Sequence, residues 1–413
     1  MGQVAVIGGG ASGLAAAIAA AQIGAAVTIY EKGPRVGKKL LATGNGRCNI
    51  SNRFCSLDRY HGENVEFIRP AMEKFDLEST KKFFEGMGLM LTELEEGKLY
   101  PRPLQASAVL DVLRMEAERL SVRTLCDCEI EELRPKGQDF TLWSGEKSFF
   151  AHAVILAAGG EASPQLGGTD SGYRLLQQLG HSITPRIPSI VQLKTDVTTI
   201  KPMSGMKING MVRLLSGRKE ISSQFGEILF TDYGLSGPPI MQISGAASRL
   251  LHESRNVMLS LDLVPELEQR QLYFLLKSRA YVHPERTLEE FFVGMLPKRL
   301  GQCAMKAVAL APLSKQASQL ADQDLQALSV QLKDWRLLVK DTNGFRNAQV
   351  TAGGASVAEF EPQTLESKRV PGLFVCGEVL DVDGDCGGFN LQWAWSSGRL
   401  AGFFAAQKVK CCL

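Results

Sequence analysis

The chain has 413 residues, a formal net charge of +2, and is 45% hydrophobic and 22% charged. These values fit a soluble globular protein of two or three domains with a large buried core. They exclude a disordered chain and a dedicated nucleic-acid binder with a dense basic stripe.

The first predicted element is the apolar run 3–7, a strand. It meets Gly8-Gly9-Gly10-Ala11-Ser12-Gly13, then an alanine-rich helix to about Ile23. Gly24 ends that helix, and residues 26–30 read as a second strand, completing a βαβ unit. A Gly- and Lys-rich loop covers 33–52. Helical patterns occupy 64–86 and 106–119, and strand patterns return at 122–133, 140–143 and 153–156. From about Pro185 the character changes. Residues 190–263 alternate in short runs broken by Gly and Pro, as small antiparallel sheets do. Residues 267–280, 288–308 and 314–335 read as helices, with Thr287 and Glu290 as a capping box for the second. Near the end, 372–376 is a strand and 388–406 a helix. The nucleotide-binding architecture therefore stands at both chain ends, with a β-rich and helical insertion between them.

The stretch 11–23 is too short to span a bilayer and lacks the basic leader of a secretory signal. Val6 and Lys410 break the myristoylation and prenylation patterns. The nine cysteines follow neither a disulfide framework nor a zinc spacing. Reduced thiols in a cytoplasmic protein, with no membrane partner and no metal, are the expectation.

Gly8-x-Gly10-x-x-Gly13 between strand and helix carries the first chemistry. Gly8 permits the tight turn, Gly10 lets a pyrophosphate approach the backbone, and Gly13 lets the helix pack on the strand. Ala11 and Ser12 open the helix, whose N–H groups and positive dipole end favour phosphate. Glu31, followed by Lys32, closes the second strand, where a carboxylate can accept both ribose hydroxyls and would repel a 2′-phosphate. The apolar strand ending in Ala157, Ala158 and Gly159, and the C-terminal Gly377-Glu378, extend the site beyond what a bare NAD half needs. The helix opening at Gly388-Phe389-Asn390-Leu391 would point its N-terminus at the pyrimidine edge of a reduced flavin. Gly387 and Gly388 would let the backbone approach the flat ring. FAD, bound without a covalent link, is the cofactor these elements imply. Ile130, in the strand pattern 122–133, joins the candidate cofactor contacts.

The segments Gly37-Lys38-Lys39 and Thr43-Gly44-Asn45-Gly46-Arg47-Cys48-Asn49, with Asn52, resemble the signature loop of the HI0933-like flavoprotein family. Gly226-Glu227-Ile228-Leu229-Phe230-Thr231 with Gly234-Leu235-Ser236-Gly237-Pro238 is a second match. Glu366-Ser367-Lys368, Gly377-Glu378-Val379-Leu380-Asp381-Val382-Asp383-Gly384 and Gly387-Gly388-Phe389-Asn390-Leu391-Gln392-Trp393-Ala394 are a third. Ala157-Ala158-Gly159 departs mildly from the commoner Ala-Thr-Gly. The resemblance implies an α/β protein: a Rossmann-type FAD domain from both chain ends (1–187 and 345–413), with a β-barrel-like insertion (188–264 and 309–344) and a small helical domain (265–308). It also implies that Lys38, Lys39, Thr43, Gly44, Arg47, Cys48 and Asn49 contact the cofactor.

Three side chains are candidates for catalysis. Cys48 sits beside Arg47, whose charge could lower a thiol pKa. Tyr100 before Pro101 could donate a proton, and Asn390 opens the last helix. Cys376 and Cys386 could form a redox dithiol, although Cys376 reads as core. Asp381, Asp383 and Asp385 read as turn formers more than cation ligands. His181 is assigned no catalysis, and Trp393 and Trp395 are expected to pack.

The expected function is an FAD-dependent oxidoreductase moving hydride through flavin N5 to or from a small organic substrate. Only one dinucleotide fingerprint is present, so NAD(P)H, if used, would dock transiently. Alternatives are an amine oxidase using oxygen, a flavin-dependent tRNA-modifying enzyme and a non-catalytic flavin sensor. Near-neutral charge speaks against nucleic acid as a partner.

Overall fold

The structure is a computed structural model that describes residues 2–411. The chain forms two compact units, Met1–Pro188 with Ala348–Leu413, and Ser189–Asn347.

The first unit is built on a five-stranded parallel sheet. Its strands are β1 (Gln3–Ile7), β2 (Ala26–Tyr30), β3 (Arg123–Leu125), β4 (Ala153–Leu156) and β5 (Leu373–Val375). The spatial order is β5-β4-β1-β2-β3, and each neighbouring pair is parallel. The C-terminal strand thus completes a sheet begun by the N-terminal one. Every residue of β4 and all but Gln3 of β1 are buried, as a sheet covered on both faces requires.

Two helices pack together beside this sheet, α1 (Ala11–Gln22) and α3 (Phe389–Cys411), while the short helix α2 (Lys38–Ala42) lies in the loop after β2. The approach of α1 and α3 is set by missing side chains. A Cβ at Gly398 would stand 2.3 Å from the Ser12 carbonyl oxygen, and one at Gly402 would stand 2.2 Å from that of Ala16. Alanines on α1 and glycines on α3 let the two backbones meet almost directly.

The second unit contains a closed antiparallel barrel. Its strands run in the order Leu193–Thr195, Gly234–Ser236, Lys219–Phe230, Lys207–Ser216, Val257–Asp262, Trp335–Thr342. The alternation seen in the sequence is real: Gly210, Val212 and Leu214 point inward and their neighbours do not. Helices Pro238–His252, Gln269–Val282, Lys298–Ala307 and Asp322–Lys333 share one apolar core with the barrel strands.

Several expected elements are shorter or broken. The helix expected over 288–308 begins only at Lys298, after Pro297. Proline has no N–H to donate back into a preceding helical turn, so it opens a helix instead of continuing one. Thr287 and Glu290 do bond as a capping pair, Oγ1 to Oε2 at 2.9 Å, but they close a turn. The expected helix 64–86 breaks at Phe75, and Asp76 caps a new one by accepting the Ser79 N–H at 2.8 Å. The expected strand 122–133 is interrupted where Asp127 takes φ +51°. Among the described residues, no helix is long and apolar enough to cross a membrane.

Candidate flavin-binding site

Each glycine of the first loop has its own job. Gly8 takes φ +103°, and a Cβ there would stand 2.5 Å from the Ala157 carbonyl oxygen. At Gly13 it would stand 1.9 Å from the Gly8 carbonyl oxygen. Those two let loop, helix and β4 close on each other. A Cβ at Gly10 would meet nothing within 4 Å. Gly10 is the N-cap of α1, has no side-chain capping bond, and no acidic residue occupies the first turn. Space is therefore open at Gly10 beside the α1 N-terminus, whose positive dipole end meets no acidic side chain of its own first turn.

Glu31, at the end of β2, is anchored by backbone. Its Oε2 accepts the Gly9 N–H at 2.8 Å and its Oε1 the Gly33 N–H at 2.7 Å. The carboxylate was expected to accept the ribose hydroxyls; in the structure it ties the phosphate loop to the turn after β2. An ionised carboxylate has about four acceptor positions, so two stay open for a sugar.

Across the site, Lys39 on α2 pairs with Glu378 just after β5, Nζ to Oε2 at 2.8 Å. Glu378 Oε1 also accepts the Thr351 N–H at 2.8 Å. A Cβ at Gly160 would crowd both Thr351 and Glu378. The Glu378 carboxylate is thus held by two partners and remains partly exposed.

The loop from Thr43 to Asn49 is wound in the left-handed region at Gly44, Asn45, Gly46 and Cys48, with φ of 57°, 56°, 81° and 59°. Glycine and asparagine tolerate this; a cysteine there is strained. Cys48 is wholly buried, and burial pushes its thiol up to about 12, against a lowering bond with Thr43. This corrects both readings of Cys48: neither a reactive thiolate nor a contact surface is offered. Arg47 is exposed, and its guanidinium lies 5.7 Å from the centroid of the Tyr100 ring. Tyr100 is 8% exposed in the strand Lys98–Pro101, packed beneath this loop.

The start of α3 also corrects an expectation. The Asn390 side chain is consumed by the preceding turn. It accepts the Gly384 N–H at 2.8 Å and donates to the carbonyls of Gly384 at 2.7 Å and Asp385 at 3.3 Å. With both amide hydrogens engaged, it is a turn clamp and not a catalytic group. Gly388 takes φ +102°, and a Cβ there would stand 2.6 Å from the Ser51 carbonyl oxygen. This protein contact by itself requires glycine there.

Other expected residues fall into two groups. Gly8, Gly10, Ala11, Thr43, Gly44, Ala158, Gly159, Gly388 and Leu391 stay partly exposed, and Lys32 and Lys38 are exposed. Ser12, Gly13, Ala157, Ile130, Gly377 and Phe389 are buried. Gly377 is fixed by Ser397 Oγ, which accepts its N–H at 3.0 Å, and by Trp393 Nε1, which donates to its carbonyl at 3.2 Å. Cys376 is completely buried, with burial pushing its thiol up to about 12 despite a bond from Ser12, and no disulfide forms among the described cysteines. The dithiol reading fails on those grounds. Asp381 accepts the Glu63 N–H, and Asp385 lies 2.8 Å from His61 Nε2. Among the described residues, no group of three or more His, Cys, Asp or Glu could hold a metal.

The supporting network was missed from sequence. Ser51 Oγ donates to Gln392 Oε1 at 2.6 Å, and Gln392 Nε2 donates to Thr80 Oγ1 at 2.9 Å and Ser396 Oγ at 2.9 Å. Trp395 Nε1 donates to the Ile50 carbonyl at 3.0 Å. A glutamine between Leu391 and Trp393 in an otherwise largely apolar helix was the available signal, and it is wholly buried.

FAD fits these residues. The open space at Gly10 above bare helix N–H groups suits a pyrophosphate, and Glu31 retains acceptors for a ribose. Asn49 Oδ1 is a buried acceptor without a partner at the start of α3.

Residues 2–404 match the family described as HI0933-like protein Rossmann domain. Over 412 residues, 99% of this chain and all of the relative, the chain is 40% identical to the 3-dehydro-bile acid delta(4,6)-reductase of Clostridium scindens. It is 30% identical over 396 residues, 95% of each chain, to the ribosomal RNA dihydrouridine synthase of Escherichia coli. A solved 3-ketosteroid delta1-dehydrogenase from Sterolibacterium denitrificans is similar in fold, with 13% identity and a TM-score of 0.50 across 99% of this chain and 100% of that one.

Proposed function

Because the chain belongs to the HI0933-like family of flavin-dependent oxidoreductases, we propose that it uses FAD to reduce a carbon–carbon double bond conjugated with a carbonyl in a small, steroid-like molecule. The names of its relatives support this reading. One names the delta(4,6) bonds of a 3-dehydro bile acid, the other a dihydrouridine. Both describe hydrogen added across a double bond next to a carbonyl. The higher identity to the bile-acid relative favours the small molecule.

The observation that carries the cofactor assignment is the site assembled from both chain ends, with bare helix N–H groups at Gly10 on one side and the Lys39–Glu378 pair on the other. The α1 N-terminus would hold the pyrophosphate, and Glu31 the adenosine ribose. Glu378, steadied by Thr351 and Lys39, would stand along the sugar-like chain. Bound FAD would supply hydride at N5, replenished by NAD(P)H docking transiently. The residues under the α3 start hold their backbone rigid, so the cofactor edge would be presented in one orientation.

A second reading is reduction of uridine in RNA. It is favoured by an uneven charge distribution: Lys and Arg outnumber Asp and Glu in Ser189–Asn347, whereas the rest of the chain is the reverse. One experiment separates the readings. The yellow protein is reduced anaerobically with NADH or NADPH, then mixed with a 3-keto-4-ene steroid, with uridine-containing RNA, or with oxygen alone. Reoxidation by the steroid, with a product two hydrogens heavier, is expected. Reoxidation by RNA alone would transfer the assignment to uridine. A flavin that only oxygen reoxidises, and that amines reduce, would make the protein an amine oxidase. A flavin that no donor reduces would leave a sensor.

A further inference from the structure

Asn49 is 9% exposed, and its Oδ1 is buried with no hydrogen-bond partner. Folded proteins rarely leave such an oxygen unmatched. It lies at the N-terminal end of α3: a Cβ on Gly388 would stand 2.9 Å from it. The first-turn N–H groups of that 23-residue helix have no partners within the helix, and its positive dipole end lies there.

The residues after Asn49 are tied down one by one. The Ile50 carbonyl accepts from Trp395 Nε1 at 3.0 Å. Ser51 Oγ donates to Gln392 Oε1 at 2.6 Å. Asn52 Nδ2 donates to the carbonyls of Gly387 at 3.0 Å and Glu96 at 3.2 Å. Gln392 is itself wholly buried and bonded to Thr80 and Ser396. The backbone that follows Asn49 is therefore pinned, and a partner for its carboxamide oxygen would come from outside the chain.

The chemistry of that partner follows from the side chain. A carboxamide offers an acceptor and a donor side by side in one plane. Its complement is a planar group with an N–H beside a C=O. A phosphate or carboxylate would meet the Asn49 oxygen as a repelling acceptor. We propose that the Asn49 carboxamide recognises an imide edge, accepting its N–H, and that this edge is the pyrimidine side of the flavin. The inference rests on the FAD reading. Asn49 is then the residue that reads the ring, while Ser51, Gln392 and Trp395 position it.

The test uses the full chain, stripped of flavin and titrated with FAD or with N3-methyl-FAD, following quenching of flavin fluorescence. The unmodified protein is expected to prefer FAD by roughly ten- to 100-fold, as loss of one well-placed buried hydrogen bond implies. In Asn49→Ala the preference collapses to near unity, because the acceptor is gone and the methyl group has room. Asn49→Asp keeps an acceptor and so keeps the preference, but its charge opposes that of a reduced ring, and its midpoint potential falls in a spectroelectrochemical titration. Equal affinity of the unmodified protein for both flavins, or a preference that survives in Asn49→Ala, overturns the role of Asn49 and leaves FAD binding intact. Failure of the unmodified protein to bind FAD at all overturns the cofactor reading and this inference with it.

Discussion

Lys39 Nζ lies 2.8 Å from Glu378 Oε2, joining residues 339 positions apart in the chain. The pair is partly buried, with side-chain exposures of 30% and 21%. It ties the loop after β2 to the segment after β5, the two chain ends that build the site. Neutralising either partner leaves the other half-buried without its counter-charge. A double-mutant cycle of Lys39→Met and Glu378→Gln, read from urea unfolding, should give a coupling of about 0.5–3 kcal/mol. Strictly additive effects would show that the pair is incidental.

Glu31→Ala should weaken FAD binding roughly ten- to 150-fold, since a charged hydrogen bond to a ribose is worth about 1.5–3 kcal/mol. The same change removes the acceptors of the Gly9 and Gly33 N–H groups. Glu31→Gln keeps one acceptor oxygen and should fall between the two. Fluorescence titration of the flavin-free variants measures this, and an unchanged dissociation constant would remove Glu31 from the ribose site.

Gly388→Ala should destabilise the fold by about 1–3 kcal/mol, because the residue combines φ +102° with a Cβ position 2.6 Å from a backbone oxygen. Gly10→Ala, facing open space, should leave the melting temperature of the flavin-free chain nearly unchanged and still reduce FAD affinity. Thermal melts with and without FAD separate the two classes of glycine. A Gly388→Ala protein as stable as its parent contradicts the packing seen at Ser51.

Cys48 and Cys376 should resist iodoacetamide at pH 8 in the native protein and react promptly in urea. Burial pushes both thiols up to about 12, so almost no thiolate is present, and neither is solvent-accessible. Peptide mass spectrometry reads the labelling at each position. Rapid native labelling of Cys48 would restore it as a reactive group.

A pH dependence of stability should come from His181. Its ring is buried, bonded to Glu359 Oε2 at 2.8 Å and Ser367 Oγ at 3.0 Å, and stacked on Phe360. Burial holds its pKa below the ordinary 6.5, against the raising effect of Glu359. The unfolded chain therefore binds a proton first, and stability present above 6.5 is lost as pH falls below it. Glu359 acts in a second, lower window. Burial would raise it, but Arg369, the Ser182 N–H and His181 hold it at about 2 instead of 4.5, so its contribution is lost between those values. Urea midpoints from pH 8 to 5 should fall, and His181→Gln should flatten that fall. An equal slope in the variant would place the titration elsewhere.

The sequence by itself determined the sheet and the first loop. Apolar runs bounded by glycine can be read locally, and the spacing Gly8, Gly10, Gly13 carries its meaning within one turn of chain. The strand at 373–375 is as uniformly apolar as that at 153–156, which marks it as buried; that both chain ends serve one sheet was what the motifs at the two ends and the resemblance implied. The alternation at 207–230 announced antiparallel strands. Their closure into a barrel depends on which strand pairs with which across long stretches of chain, and local pattern does not encode that.

Only the tertiary structure decided what each polar side chain does. Asn390 and Asn49 look alike in sequence, single amides a few residues after a glycine. One spends its whole hydrogen-bonding capacity on the Gly384 turn, and the other keeps a buried oxygen without a partner. Cys48 sits beside an arginine, yet its thiol is sealed in the core, and sequence adjacency says nothing about burial. Gly388 and Gly10 are the same residue under opposite demands, one pressed against a carbonyl and one facing empty space. The reason is common to all of them. Hydrogen-bond satisfaction and burial are set by neighbours distant in the chain, such as Gln392 under Ser51 and Glu378 beside Lys39, and those neighbours exist only once the chain has folded.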